Sequence, residues 1–469
     1  MNPLVIIPTY VSARSKGSTS TVTATYDHTT MLSEMGQLPR LLNSLRGVEG
    51  LGTIAVLVAS EPNISSQAAE KVQVIIDRFP DLDILLVGSA EQTILQQRME
   101  QLSIGRMAKE MGLSGYGAVK NFGILVAAAL GFDSVIFLDD DEEVEDPAFL
   151  RNAVYGLGKL TRMGIPILAK TGYFLDEYDS PFSSAGGKWY NRSWDIGRAF
   201  NKWMEGALAG PRLSRSNYVC GGCMAIHREA FRRVAFDPWI SRGEDLDYML
   251  NLRMYGSDIW FDNKWFLRHM PPEGTITPAQ RFRQDVYRWL YEYRKLEFSR
   301  AQIDLLQVKP DTLQPYPGPF LEPGLEKRLA RAARLRGLFS SEGKVWRAAA
   351  KAANAEAASY AEKNCGRYFE LQRIWPEIVN RISNDVIVAN AFKQANETRR
   401  GIESSFAQRV YDRIFGQIAA ANAEAAAAGE GAMDAAAAAA TAAAAAPAAR
   451  GYQTLDPGTT GEIRMNLAE

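Results

Sequence analysis

Three consecutive carboxylates, Asp139, Asp140 and Asp141, follow directly on the apolar run Ser134-Val135-Ile136-Phe137-Leu138. Crowding carboxylates at the end of a buried strand is electrostatically costly. A hard divalent cation such as Mg²⁺ or Mn²⁺ offsets that cost and commonly carries substrate phosphates as well. The carboxyl end of a strand in an open α/β sheet is also where ligands bind. An acidic turn prolonged by Glu142, Glu143, Glu145 and Asp146 is the competing reading, and the triad alone does not separate the two.

A second constellation lies further along. Tyr218-Val219-Cys220-Gly221-Gly222-Cys223 is followed, after a short helical stretch, by Gly243-Glu244-Asp245. Paired glycines let backbone approach a ligand closely, which marks Gly222 as a candidate contact. Glu244 and Asp245 open a helical pattern with Leu246, Met249, Leu250 and Met254 on its apolar side and Gly256 at its stop. Acidic residues are favoured at that position by the helix dipole in any case. The Cys220/Cys223 spacing suits zinc or redox chemistry. With only three cysteines and three histidines in the chain, two small residues flanking a glycine turn is the expected meaning.

The elements that must position these groups read as alternating α/β through about residue 270. Leu4 to Ile7 is a strand ending at Pro8-Thr9-Tyr10, and Met31 to Leu45 has helical spacing. Thr53 to Ala59 is a strand closing before Glu61. Ser65 to Arg78 and Asp83 to Val87 repeat the unit, and such alternation predicts a mostly parallel sheet covered by helices. A helical stretch from Glu91 to Met111 follows, then a second one carrying Lys120-Asn121-Phe122-Gly123 and capped by Gly131. Asp258 to His269 predicts a short strand and its exit loop.

Pro8-Thr9-Tyr10, Glu61, Lys120-Asn121-x-Gly123, the aspartate triad and Gly243-Glu244-Asp245, in that order over about residues 3 to 272, resemble the nucleotide-sugar glycosyltransferases of family 2. The resemblance implies a GT-A fold, Rossmann-like, and a metal-dependent hexosyl transfer from a UDP- or GDP-sugar to a glycan, lipid-linked or small-molecule acceptor. It assigns Pro8, Thr9, Tyr10 and Glu61 to the nucleoside, with Lys120, Asn121, Asp139, Asp140 and Gly222 completing the donor contacts. Asp139 and Asp141 are metal or ribose contacts. Asp140, on the other side of an extended segment, meets the donor ribose or sugar. Lys120 stands where the family more often has arginine, and lysine lacks the bidentate fork.

In inverting relatives the aspartate of the Glu-Asp segment is the general base, which places Asp245 as catalytic and Glu244 beside the acceptor. His269 is similarly placed to a histidine that completes the cation's shell in galactofuranosyltransferases, and imidazole suits Mn²⁺ somewhat better than Mg²⁺. A retaining transferase, a nucleotidyltransferase and a non-catalytic sugar-binding or scaffold protein are the alternatives. The absence of a glycine-rich basic loop after the first strand counts against the second, and the joint presence of Asp139, Asp141, Asp245 and His269 against the third.

At 469 residues the length allows two or three domains. The composition, 46% hydrophobic and 23% charged with a net charge of -1, is that of a globular enzyme and gives no argument for nucleic acid. The amino terminus lacks a signal-peptide pattern. The Ala435 to Ala446 tract falls short of the roughly 20 apolar residues a membrane span needs, and a cytoplasmic protein is expected.

Residues 1–272 are thus expected to form the catalytic domain and 273–428 a helical region with a proline-rich connection near 309–324. An alanine- and glycine-rich tail, 429–469, is expected to be poorly ordered. Thr277-Pro278 marks the first helix start, in a run reaching about Leu306. The basic segment 325–351 reads as a solvated face or a peripheral membrane contact. The aromatic and glycine-rich stretch from Tyr173 to Trp203 reads as a sugar-stacking lid or an ordinary core.

Overall fold

The computed structural model describes residues 1–13, 29–184, 189–272 and 277–400. The helices expected from 401 to Ala428, the tail 429–469, and Gly186 and Gly187 of the aromatic stretch lie outside the described residues.

The alternation begins with β1 (Pro3–Ser12), β2 (Thr30–Met31), α1 (Leu38–Leu45), β3 (Ile54–Ser60), α2 (Ser65–Ile76), β4 (Ile84–Val87), α3 (Ser89–Gln101), α4 (Tyr116–Ala129) and β5 (Ser134–Phe137). It continues through β6 (Glu142–Glu143), α5 (Phe149–Val154), β7 (Ala169–Leu175), α6 (Ile196–Ala209), β8 (Leu213–Arg215), β9 (Met224–His227), α7 (Arg228–Phe231), α8 (Glu244–Met254) and β10 (Ile259–His269). Then come α9 (Pro278–Ser299), α10 (Leu325–Leu338), α11 (Gly343–Lys351), α12 (Ala357–Ile382) and α13 (Val386–Arg400).

The strands lie in the order β4-β3-β1-β5-β9-β7-β10-β6, with β2 on β1 and β8 on β10. From β4 to β5 the pairing is parallel. β9 inserts antiparallel between β5 and β7, and β7 and β10 are parallel again. β1 is apolar at every position from Leu4 to Ile7 because helices cover both faces. Leu4 and Ile6 join the core under α3, α4 and α8, while Val5 and Ile7 join the one under α1 and α2. The mostly parallel α/β sheet flanked by helices and followed by a helical region is the GT-A-like arrangement expected.

Several local expectations change. Met31 to Leu45 is not one helix: Met31 pairs with β1, Gly36 takes a left-handed φ of 75°, and α1 begins only at Leu38 with a proline in its first turn. Proline is tolerated there because a first-turn N–H has no intrahelical partner. The stretch from Glu91 leaves α-helix at Gln101, where Ser103 adopts φ 57° and a 3₁₀ turn takes over at Gly105. β1 runs on through Pro8, Thr9 and Tyr10 instead of ending before them. The short strand and exit loop expected over Asp258 to His269 are one long strand, Ile259–His269, whose last residue is His269.

α9 starts at a reciprocal cap between Thr277 and Gln280 and ends at Ser299, short of Leu306. The helical region shares a core with the sheet: Trp289, Tyr368 and Trp375 lie in the same cluster as Leu4 and Phe137. Trp375 Nε1 donates to Phe231 O at 2.7 Å. Lys295 of α9 bridges Asp237 at 2.8 Å and Asp247 of α8 at 2.7 Å, all three side chains buried. The proline-rich connection is a strap of two 3₁₀ turns that buries Leu313, Tyr316 and Phe320. Part of the basic segment points inward, with Arg336 donating to Trp194 O at 2.7 Å and lying over the Phe282 ring. No helix among the described residues is long and apolar enough to cross a membrane.

Candidate active site

The predicted residues converge at the carboxyl ends of β1, β3 and β5. Asp140, three residues past β5, accepts a 2.6 Å hydrogen bond from Thr9 Oγ1 of β1. Burial, with Asp141 adding, pushes Asp140 up to about 7 against the opposing pull of that bond. Glu61, just past β3, accepts from Ser12 Oγ at 2.7 Å and from Ala13 N at 3.3 Å. Tyr10 packs edge-on against Tyr116 at the start of α4. Pro8 lies on β1 beyond the stretch paired to β5.

β6 carries the chain directly from the triad into antiparallel pairing with the end of β10, placing Glu142 opposite His269. His269 Nε2 consequently stands 3.3 Å from Asp141 Oδ2. Burial alone would lower the imidazole pKa, but Asp141 and Asp139 hold it above its ordinary value. Arg40 of α1 locks the two chain segments together by donating to Asp141 O at 3.1 Å and Met270 O at 2.8 Å. Sequence reasoning missed Arg40 because nothing near it in the chain carries a signal.

Asp139 N donates to Glu142 Oε2 at 2.8 Å, folding the buried Glu142 carboxylate back under the triad. A Cβ at Gly222 would fall 2.0 Å from Glu142 Oε1. This close approach explains the glycine, with the Glu142 side chain as the neighbour. Burial raises Asp139 to about 6; Asp141 and Glu244 add to the rise and Lys120 opposes it.

Lys120 reaches from α4 into the middle of this group. Its Nζ is 2.9 Å from Glu244 Oε1 and 3.3 Å from Gly221 O. Burial would lower it, yet Glu244, Asp139 and Asp245 hold the ammonium above its usual pKa. The next residue, Asn121, is fully buried, and its amide exchanges two 2.8 Å bonds with the backbone of Phe236. That amide is engaged in holding the chain ahead of α8.

Asp245 sits in the first turn of α8, with Oδ1 accepting from Leu246 N at 2.7 Å. Its Oδ2 faces Gly221, where an added Cβ would lie 3.4 Å from it and 2.9 Å from Lys120 Nζ. Burial and Glu244 raise the Asp245 carboxyl above its ordinary range, while Arg288 of α9 and Lys120 pull it back. Arg288 gives no sequence signal either. Cys220 and Cys223 are buried free thiols, consistent with packing roles.

Among the described residues no set of three or more His, Cys, Asp or Glu side chains is drawn into a ready-made metal cage. The donor chemistry nevertheless fits a divalent cation. Asp141 and His269 face one another, and Asp139 adds a carboxylate whose burial, with Asp141 and Glu244 adding, disfavours its charged form, a cost that a cation would relieve.

No family model matches the chain, and no curated protein matches it. Among solved structures, a mannosyltransferase from Pyrobaculum calidifontis in complex with GDP-Man and Mn²⁺ is 14% identical. That alignment covers 84% of this chain and 87% of the other, with a TM-score of 0.43. GalNAc-T7 with UDP, GalNAc and Mn²⁺ is 14% identical over 64% of this chain and 52% of the other, with a TM-score of 0.32. A mycobacterial protein is 14% identical over 62% and 73% of the two chains, with a TM-score of 0.31.

Proposed function

We propose that the protein is a metal-dependent glycosyltransferase that moves a sugar from a nucleoside diphosphate sugar to an acceptor hydroxyl, with inversion and with Asp245 as the general base. One observation carries the reading. Lys120, paired with Glu244, and Asp245 lie against Gly221, while Glu142, which accepts from Asp139 N at the head of the triad, lies against Gly222, so the two acidic segments meet near the strand ends where an α/β sheet binds ligands.

In this reading Asp139, Asp141 and His269 hold Mn²⁺ or Mg²⁺, which when bound stabilises negative charge developing on the leaving diphosphate. Glu61, Thr9 and Tyr10 flank the nucleoside, and Asp140 is held by Thr9 toward the donor. Lys120 balances the charge of Glu244 and Asp139 and so keeps the two halves of the site at a fixed distance. Asp245, with one oxygen tied to its own helix and the other facing Gly221, takes the proton of the attacking hydroxyl. Its raised pKa makes it a better proton acceptor than an ordinary aspartate.

The test is a panel of UDP- and GDP-sugars with Mn²⁺, reading nucleoside diphosphate release with and without candidate acceptors. Release from at least one donor, dependent on the cation and on Asp245, is expected. Product of retained anomeric configuration would remove the base role from Asp245, and release of pyrophosphate from a nucleoside triphosphate would replace the reading with nucleotidyl transfer.

A further inference from the structure

We propose that the outer surface of the α10–α11 hairpin docks on a membrane carrying anionic lipid, with Trp189, Leu338 and Phe339 as its apolar tip. The inference does not depend on the glycosyltransferase reading.

Segment 325–351 holds eight Lys or Arg against two Glu, and the fold sorts them by face. Lys327, Arg331, Arg334 and Leu338 are exposed and recur at i, i+4, i+7 and i+11 along one side of α10, while Leu329, Ala330, Ala332 and Ala333 are buried on the other. Lys344, Arg347 and Lys351 share the exposed side of α11 in the same way, opposite the buried Trp346, Ala349 and Ala350. The two helices pack on one another and on α9, so both basic sides point away from the core.

The chain's own acids leave this surface charged. Glu326 is turned to Arg294 of α9 at 2.9 Å, and Glu342 stands at the start of α11. Lys351 meets Glu356 at 3.7 Å, and among the described residues Lys327, Arg331, Arg334, Lys344 and Arg347 enter no ion pair. In a chain of net charge -1, that is a local excess of positive charge, and its complement is a surface dense in negative charge.

An apolar cluster adjoins it at the end of α10. Leu338 is 75% exposed, Phe339 54% and Trp189 60%. The rings of Tyr190 and Phe339 stack at 4.9 Å, and Trp189 sits edge-on to both, at 6.0 and 5.7 Å. Exposed apolar side chains scattered singly need no explanation, but a contiguous group marks an interaction surface. Trp, Phe and Leu beside Lys and Arg suit the interface of an anionic bilayer, where the cations meet lipid phosphates and the apolar groups enter the boundary between headgroups and acyl chains. Nucleic acid would call for ring faces open to bases, whereas Tyr190 and Phe339 cover one another.

The experiment is cosedimentation of the full chain with phosphatidylcholine vesicles made with and without phosphatidylserine. Wild type should bind only the anionic vesicles, and less as salt is raised. Each cation near such a surface is worth about fivefold in affinity, so Arg331→Gln/Arg334→Gln should bind about 25-fold more weakly. Lys344→Gln/Arg347→Gln, on the other helix, should do the same and carries the test should the first variant not fold. Leu338→Ser should weaken binding while keeping its salt dependence, and brominated acyl chains should quench tryptophan fluorescence more in wild type than in Trp189→Phe. No binding to anionic vesicles, equal binding without phosphatidylserine, or undiminished binding by a folded double variant would overturn the proposal. So would tighter binding to poly(U) RNA than to the vesicles, which would assign the face to nucleic acid.

Discussion

Lys120 Nζ lies 2.9 Å from Glu244 Oε1, and the two side chains are only 4% and 10% exposed. The pair joins α4, which leads into the triad strand, to the first turn of α8, which carries Asp245. It therefore couples the triad segment and the Asp245 helix electrostatically. Removing one member of a buried pair strands the other charge and typically costs about 3–5 kcal/mol. Lys120→Met should lose stability on that scale in denaturant titrations, and Lys120→Met/Glu244→Gln should regain most of it without regaining turnover. A single variant as stable as wild type would show that the pair is not structural.

Asp245→Asn keeps the shape of the α8 start while removing the carboxylate proposed as the base. Turnover should fall by about a hundred- to ten-thousand-fold, the usual range for general base catalysis, with UDP or GDP affinity unchanged. Near-normal transfer by this variant would exclude the assignment.

The facing of His269 and Asp141 across 3.3 Å predicts a shared cation. His269→Ala should reduce Mn²⁺ affinity and turnover together in calorimetric and kinetic titrations. Asp141→Ala should make nucleotide binding insensitive to metal. Equal nucleotide affinity of the wild type with and without Mn²⁺ would refute both.

Gly222 abuts the Glu142 carboxylate, 2.0 Å from where a Cβ would sit. Gly222→Ala forces that carboxylate off Asp139 N, and overpacking of this kind costs about 1–3 kcal/mol. In a double-mutant cycle, Glu142→Ala should relieve most of the penalty, whereas independent effects would show that the two positions do not touch energetically.

Glu292 gives the fold a pH dependence of definite sign. Burial lifts its folded-state pKa to about 8 from an ordinary 4.5. Between those values the folded protein holds a proton that the unfolded chain has released. The stabilisation is complete below the lower value and is lost as pH rises through the upper one, by up to about 1.4 kcal/mol per pH unit. Glu292→Gln should flatten this part of the stability profile, and an identical slope in both proteins would show that Glu292 is ionised when folded.

The sequence by itself marked the candidate site residues and determined most of the frame beneath them. Asp139 to Asp141 after an apolar run, Glu244-Asp245 at a helix start and the α/β alternation are local signals, because burial on both sheet faces and helix-end electrostatics leave their mark within a few residues. Breaks set by backbone conformation, such as Gly36 and Ser103, were not legible, since helical spacing continues across them. What the site does with its residues was decided only by tertiary structure. Thr9 and Asp140 are 131 residues apart in the chain, and Arg40 and Met270 are 230 apart. Such partners are set by the order of strands in the sheet. Arg288 had no local signal at all. It reaches the site because α9 is fixed to α8 by Lys295, buried between Asp237 and Asp247, and an ion pair of that kind forms only after the helices have packed.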